Sequence, residues 1–182
     1  TMEVMVNRSA YQSNNRSICG TKLVSGSGAL DEIYPRFGDV TIRPDQLQFK
    51  TGGSQIDVPA DVFAAQADTW YMLAFVYDGK KNYVYVNGEL VADREIRTGP
   101  YGLVGFWIGV ANELVREIRF WKTARTPQQL KQFMWKMVDG SDENLVLYYP
   151  LNGKKRDKDT GEITDDETKL WDWSNNAKHL PL

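Results

Sequence analysis

The chain has 182 residues, 22 basic and 24 acidic side chains, a formal net charge of −2 and one cysteine. That balance excludes the dense basic footprint needed to hold nucleic acid or an anionic membrane surface, and the lone Cys19 excludes an internal disulfide. No apolar run reaches the roughly 20 residues of a membrane-spanning helix, while folding at this length removes roughly 70% of the unfolded surface from water, enough for a core without staples.

The opening residues TMEVMV alternate as a strand over 2–6 and show no charged-then-apolar export segment. The chain is therefore expected to be one domain, residues 1–182, excised from a longer protein. Further strands are expected at 17–22, 46–50, 70–78, 82–87, 89–96, 103–110, 114–121 and 145–149, separated by turn residues such as Asp78-Gly79, Asn87-Gly88 and Gly99-Pro100. Asn87-Gly88 is the clearest turn, because a two-residue type I′ turn needs positive φ at both positions. One helix is expected at 126–138: Thr126 caps it, Pro127 suits the first helical position and Gln129 completes a capping box. Leu130, Phe133, Met134, Met137 and Val138 form one apolar stripe to pack on the domain, and Gly140 stops the helix. Residues 153–169, GKKRDKDTGEITDDETK, are charge-rich and nearly without apolar side chains, which predicts a mobile loop. The acidic run Asp165-Asp166-Glu167 within it reads as solvated rather than as a cation site. Many short antiparallel strands with one helix make the chain all-β, an antiparallel jelly-roll β-sandwich.

The stretch WYMLAFVYDGKKNYVYVNGELV, residues 70–91, is apolar or aromatic at most strand positions, whereas a half-exposed hairpin should alternate. If Asp78 to Lys81 form a four-residue loop, Tyr77 pairs with Asn82. Phe75 then faces Val84 and Leu73 faces Val86 on one side, with Val76 facing Tyr83 and Ala74 facing Tyr85 on the other. The first side is the core. The second is either covered by another part of the fold or meets a polar ligand with apolar faces, for which tyrosine is well suited.

This hairpin resembles the signature of laminin G-like, pentraxin-like domains in the concanavalin A-like lectin/glucanase superfamily: a Trp, a short apolar run, a Tyr-Asp-Gly turn and a strand ending in Tyr-Val-Asn-Gly. GVANELVREIRFWKTARTPQQL resembles the family's penultimate strand running into a short helix, and NLVLYYPLN with LWDWSNNAKHL resembles its closing strand and Asp-x-Ser turn. RFGDVTIRPDQLQF is similar to the subgroup at the C-terminal end of surface lipoproteins of gut Bacteroidetes. The resemblance implies a non-catalytic carbohydrate-binding module at the bacterial outer-membrane or extracellular surface, with a glycan as ligand and a neighbouring domain of the parent chain beside it. The alternative is a structural or protein-interaction module without a glycan. Where many relatives carry an acidic pair, this chain has Arg116-Glu117, so no metal site and no cofactor is expected.

Glucanases of this fold carry two glutamates and an aspartate alternating along one strand, because glycoside hydrolysis needs a carboxyl pair flanking the scissile bond. No such strand occurs here. Glu89, Asp93 and Glu95 come nearest, but Arg94 and Arg97 neighbour them and they read as a solvated edge. The single His179 near the end reads as a surface residue, so the chain is expected not to be an enzyme. The expected ligand-binding residues are Tyr83 and Tyr85 on the non-core hairpin face, Tyr101 in a turn, and Trp107, whose neighbours Phe106, Ile108 and Val110 take the opposite face of their strand. Trp171 and Trp173 are expected to clamp the last strand.

Overall fold

The computed structural model describes residues 1–8, 18–24, 30–37, 46–51, 54–95, 102–109 and 113–181. In chain order the strands are β1 (Met2–Asn7), β2 (Cys19–Val24), β3 (Leu30–Phe37), β4 (Leu47–Thr51), β5 (Ser54–Asp57), β6 (Trp70–Tyr77), β7 (Lys81–Val86), β8 (Glu89–Glu95), β9 (Gly102–Ile108) and β10 (Leu114–Trp121). The helix α1 (Pro127–Phe133) follows, then β11 (Leu145–Tyr149), β12 (Lys154–Arg156), β13 (Ile163–Asp165), β14 (Lys169–Leu170) and β15 (Leu180–Pro181). A six-stranded sheet, β11-β10-β1-β6-β7-β8, lies against a five-stranded sheet, β5-β4-β3-β2-β9, and both are antiparallel throughout. The architecture is the expected β-sandwich with one short helix.

Alternation along the strands builds the core. Val4 and Val6 of β1, Leu73 and Phe75 of β6, Val84 and Val86 of β7 and Ile118 of β10 turn inward to meet Leu47 and Phe49 of β4 and Ile56 of β5. Phe49 stacks face to face on Phe75, joining the two sheets. The β6–β7 register is the expected one, with Leu73 opposite Val86, Ala74 opposite Tyr85 and Tyr77 opposite Asn82. At the next turn Asn87 and Gly88 have φ of 50° and 78°, as a type I′ turn requires. A Cβ on Gly88 would also lie 2.4 Å from Lys131 Cγ, so glycine is what lets α1 settle over this turn.

That helix answers why the hairpin has two apolar faces. Leu130, 3% exposed, packs on Ala74, Val76 and Tyr85, with Tyr83 at the margin. The capping box is present: the Thr126 hydroxyl accepts from the Gln129 N–H, and the Gln129 side chain accepts from the Thr126 N–H. The helix is shorter than its sequence stripe, ending at Phe133 instead of reaching 138. Its end is taken over by Arg119, fully buried on the covered face of β10. The Arg119 guanidinium donates to the carbonyls of Phe133 (3.0 Å) and Lys136, and it pairs with Glu3 (3.1 Å) and Glu117 (2.6 Å). A cation on the last carbonyls satisfies acceptors that the helix leaves open. Glu117 reaches Arg119 because a bulge in the β1–β10 ladder leaves it at φ 51°. Arg125 closes the second oxygen of Glu3 at 2.9 Å and lies 4.0 Å over the Trp121 ring. Burial pushes the Tyr148 hydroxyl well above its ordinary range, with Glu117 adding to the shift, so it stays protonated and donates to Glu117 at 2.8 Å.

Two further expectations are corrected. Residues 153–169 are not one loop: Lys154–Arg156 and Ile163–Asp165 pair as a hairpin. Its turn is organised by Asp157, whose carboxylate accepts the N–H groups of Asp159 and Thr160. Charge-rich composition hid a structure held by side chain-to-backbone bonds, not by an apolar face. β3 was also absent from the expected strands, because LDEIYPRF carries charges and a proline. Pro35 is tolerated because the paired stretch of β2 against β3 ends at Thr21–Ile33, and the Pro35 carbonyl still accepts from Ile18. The closing tryptophans are as expected for Trp173, which is buried edge-on against Tyr148. Beside it the Asp172 carboxylate accepts from the N–H groups of Tyr148, Ser174 and Lys178, sealing the edge of β11.

Arg119→Ala is expected to lower the unfolding free energy by about 3–5 kcal/mol, since it takes the counter-ion from Glu117 and leaves Glu3 with Arg125 alone in the interior. Leu130→Ala is expected to cost about 2–5 kcal/mol. Urea titration measures both, and a loss under about 1 kcal/mol at either position would contradict a helix held to the sheet as described. Cys19 is buried, and burial raises its thiol far above the ordinary range. It is expected to react with a chromogenic disulfide reagent only once denaturant unfolds the chain.

Candidate functional site

The expected binding residues do not share one surface. Tyr83 and Tyr85 lie on the outer face of the six-stranded sheet, whereas Trp107 lies on the outer face of the five-stranded sheet, across the sandwich. Tyr85 is 6% exposed beneath Leu130, so it is a buried contact of the fold and not an open platform. Tyr83 sits half-buried at the margin of the same cluster. Its hydroxyl donates to Asp78 at 3.0 Å, and the Lys81 ammonium stands 5.8 Å from its ring. The sequence signal was sound in identifying a second apolar face; the helix that covers it lies more than 40 residues further along the chain. Tyr101 and Val110 lie outside the described residues.

Trp107 is different. Phe106 and Ile108 on either side of it pack into the core, which turns Trp107 outward on β9 as the alternation predicts. Trp107 pairs with Gly20 on β2. β2 lies between β9 and β3, and Gly20 presents no side chain at this point. With no side chain on the middle strand, the Trp107 and Tyr34 rings meet across it, centroids 5.7 Å apart and inclined by 58°. The same face continues outward: Tyr34 pairs with Lys50, Lys50 with Gln55, Arg36 with Gln48 and Gln48 with Asp57. Their chain neighbours Phe37, Leu47, Phe49 and Ile56 are buried, which holds this set outward.

Four of these side chains form a closed ring of hydrogen bonds. Arg36 donates through Nε to Gln48 Oε1 (2.7 Å) and through Nη2 to Gln55 Oε1 (2.9 Å). Both glutamine amides then donate to one oxygen of Asp57, Gln48 at 2.9 Å and Gln55 at 2.5 Å. The edge of the guanidinium that would fork onto a carboxylate is occupied by the two amide oxygens. From the neighbouring sheet, Arg94 donates to the Gln55 carbonyl at 2.7 Å and fixes β5 in place. An aromatic pair beside pre-set polar groups can stack on one part of a ligand and bond another. Tyr34, Arg36, Gln48, Gln55 and Asp57 were missed from sequence. The outward alternation Gln48-Phe49-Lys50 and Gln55-Ile56-Asp57 is a readable signal, but nothing local pairs it with Trp107.

The remaining candidates are accounted for by structure. Asp93 pairs with Lys81 at 2.7 Å and Glu89 with Lys131 at 2.6 Å. His179 accepts the Asp172 N–H on Nδ1 at 3.2 Å, with its ring 4.5 Å from Trp171. Arg116 is exposed, its guanidinium 5.6 Å from the Trp70 ring. Asp165 pairs with Lys154 at 2.5 Å, and Asp166 accepts from the N–H and hydroxyl of Thr168. Among the described residues no group of three or more His, Cys, Asp or Glu side chains is placed to hold a metal ion, and no helix is long and apolar enough to cross a membrane.

Tyr85→Ala is expected to cost about 3–5 kcal/mol, the loss typical of a buried aromatic, while Tyr83→Phe, which removes only an exposed hydrogen bond, should change stability by under about 1 kcal/mol. Thermal and urea melts of the two variants separate the buried ring from the marginal one. Equal losses would contradict the placement of Tyr83 at the edge of the helix contact.

Comparison with known proteins agrees with this architecture. The family model of the concanavalin A-like lectin/glucanases superfamily, laminin G type, matches residues 1–131. No curated protein matches the chain. Among solved structures, the crystal structure of a "putative carbohydrate binding protein" from Bacteroides ovatus ATCC 8483 is similar, with 28% sequence identity and a TM-score of 0.71. The match covers 98% of this chain and 50% of the Bacteroides ovatus chain, so the present chain spans about half the length of that relative.

Proposed function

The chain belongs to the concanavalin A-like lectin/glucanases superfamily, and from that premise we propose that it is a non-catalytic carbohydrate-binding module taking its glycan on the outer face of the five-stranded sheet. The observation that carries this reading is the Tyr34–Trp107 pair meeting across Gly20, with fixed donors and acceptors beside it. Sugar rings offer C–H faces that stack on aromatic side chains, while their hydroxyls need partners of known position. The name of the Bacteroides ovatus relative supports the same ligand class. Binding without turnover is supported by Asp57, the one carboxylate among the described side chains of this face. Asp57 is exposed and one of its oxygens is engaged by two amides. Glycoside hydrolysis needs a pair of carboxyl groups flanking the scissile bond, and Asp57 has no second carboxylate beside it among the described side chains of this face. We place the module in a longer exported protein at the surface of a bacterial cell, since its relative is bacterial and twice its length.

A partner-docking role without glycan is favoured by one observation. Trp135 and Met137, just beyond α1, are 49% and 50% exposed on the opposite side of the sandwich, and large exposed apolar side chains in proximity can mark an interface.

A glycan array probed with the purified domain tests the first reading. Trp107→Ala and Tyr34→Ala are each expected to weaken binding at least tenfold, about 1.4 kcal/mol, with a melting temperature within about 4 °C of the parent. Incubation with the bound glycan is expected to release no reducing ends. Binding that survives both substitutions, or release of sugar, would overturn the proposal.

A further inference from the structure

We infer, building on the glycan-binding reading above, that the ligand is a chain laid across the strands, with one unit stacked on Tyr34 and Trp107 and another read through a pair of adjacent hydroxyls by Arg36 and Asp57. The sheet order places Trp107 on one edge strand, β9, and Asp57 on the other, β5, four strand spacings away. At about 4.8 Å per spacing the described face is roughly 19 Å across. The aromatic pair occupies β9 to β3 and the hydrogen-bonded ring occupies β3 to β5. A single sugar ring, no wider than an aromatic side chain, cannot touch both ends.

The closed ring leaves a specific set of free valences. Asp57 Oδ1 takes both amide bonds, which leaves Oδ2, on an exposed residue, as an acceptor with no partner among the described residues. Arg36 uses Nε and one Nη2 hydrogen on the glutamines, which leaves three of its five N–H groups, two of them on Nη1, as donors. One acceptor and one donor, held by the same four side chains, match two neighbouring hydroxyls of a pyranose, the first donating to the carboxylate and the second accepting from the guanidinium. Gln48 is 8% exposed and cannot rotate away without disturbing the sheet beneath it, so the geometry is set before the ligand arrives and less ordering is lost on binding. The two glutamines act as positioning residues, and Arg36 donates to the ligand. Asp57 makes the discriminating contact.

The experiment is calorimetric titration of the intact domain with oligosaccharides of one to six units, drawn from plant, fungal and host polysaccharides. Affinity is expected to rise at least tenfold between the monosaccharide and the longer members of a bound series. Asp57→Asn and Gln55→Ala, both at exposed or half-buried positions, are expected to remove most of that gain, and their melts report that the fold is intact. Affinity that does not grow with length, or growth that both variants retain, would overturn this inference; if Trp107→Ala still abolished binding, the glycan-binding reading would stand. No binding to any series, or binding indifferent to Trp107→Ala, would overturn that reading and this inference with it.

Discussion

A fully buried arginine sets the arrangement of the whole molecule. Arg119 reaches β1 through Glu3, its own strand through Glu117, and the end of α1 through the carbonyls of Phe133 and Lys136. Removing a guanidinium from water costs several kcal/mol, and only a near-complete set of partners offsets that cost. Here the partners come from two paired strands and from the end of the helix that crosses them, so the helix end has one stable position. Arg125 supplies the second cation against the two carboxylates, stacked on Trp121, and the group is electrically balanced inside the protein. An apolar substitute at these positions could hold the helix as firmly, but it would not fix where the helix must stop.

Sealing that face has a consequence for function. The tyrosine-bearing side of the β6–β7 hairpin would be the natural place for a sugar if it were open. Leu130 lies on Tyr85, and Gly88 admits Lys131 close against the turn, so the space is filled by the protein itself. The five-stranded sheet is not covered in this way among the described residues. Its outward side chains are aromatic at one edge and polar at the other, and Gly20 leaves room for two rings to meet on the side away from the core. The two outer surfaces of the sandwich thus differ in kind: charge neutralised in the interior on one, hydrogen bonds tied off near solvent on the other.

What was legible in the sequence follows from how far the deciding contact lies along the chain. The β6–β7 register could be read residue by residue because a tight turn and period-2 alternation are local. The capping box could be read because it spans four residues. Trp107 could be placed outward because its own neighbours are apolar. The fate of Tyr85 could not be read, since it depends on Leu130, and the length of α1 could not, since it depends on Arg119 meeting Glu3 from the other end of the chain. Tyr34 was hidden for a similar reason: its strand carries acidic residues and Pro35, and its partner Trp107 lies 73 residues away. The hairpin within 153–169 was hidden by composition alone, because Asx-type bonds hold it where an apolar pattern would have been visible.

The open face depends on the core as closely as the sealed one does. The outward residues of the candidate site are immediate chain neighbours of core residues: Arg36 of Phe37, Gln48 of Leu47 and Phe49, Gln55 and Asp57 of Ile56, and Trp107 of the partly buried Phe106 and Ile108. Phe49 is in turn stacked on Phe75 of the opposite sheet, and Phe106 on Tyr149. A shift of β4 by one residue would put Gln48 into the core and Phe49 into solvent, so packing holds the hydrogen-bonded ring in register more strongly than its own bonds do. This arrangement suits a binding surface: the polar groups keep one geometry because the strands that carry them are held from beneath.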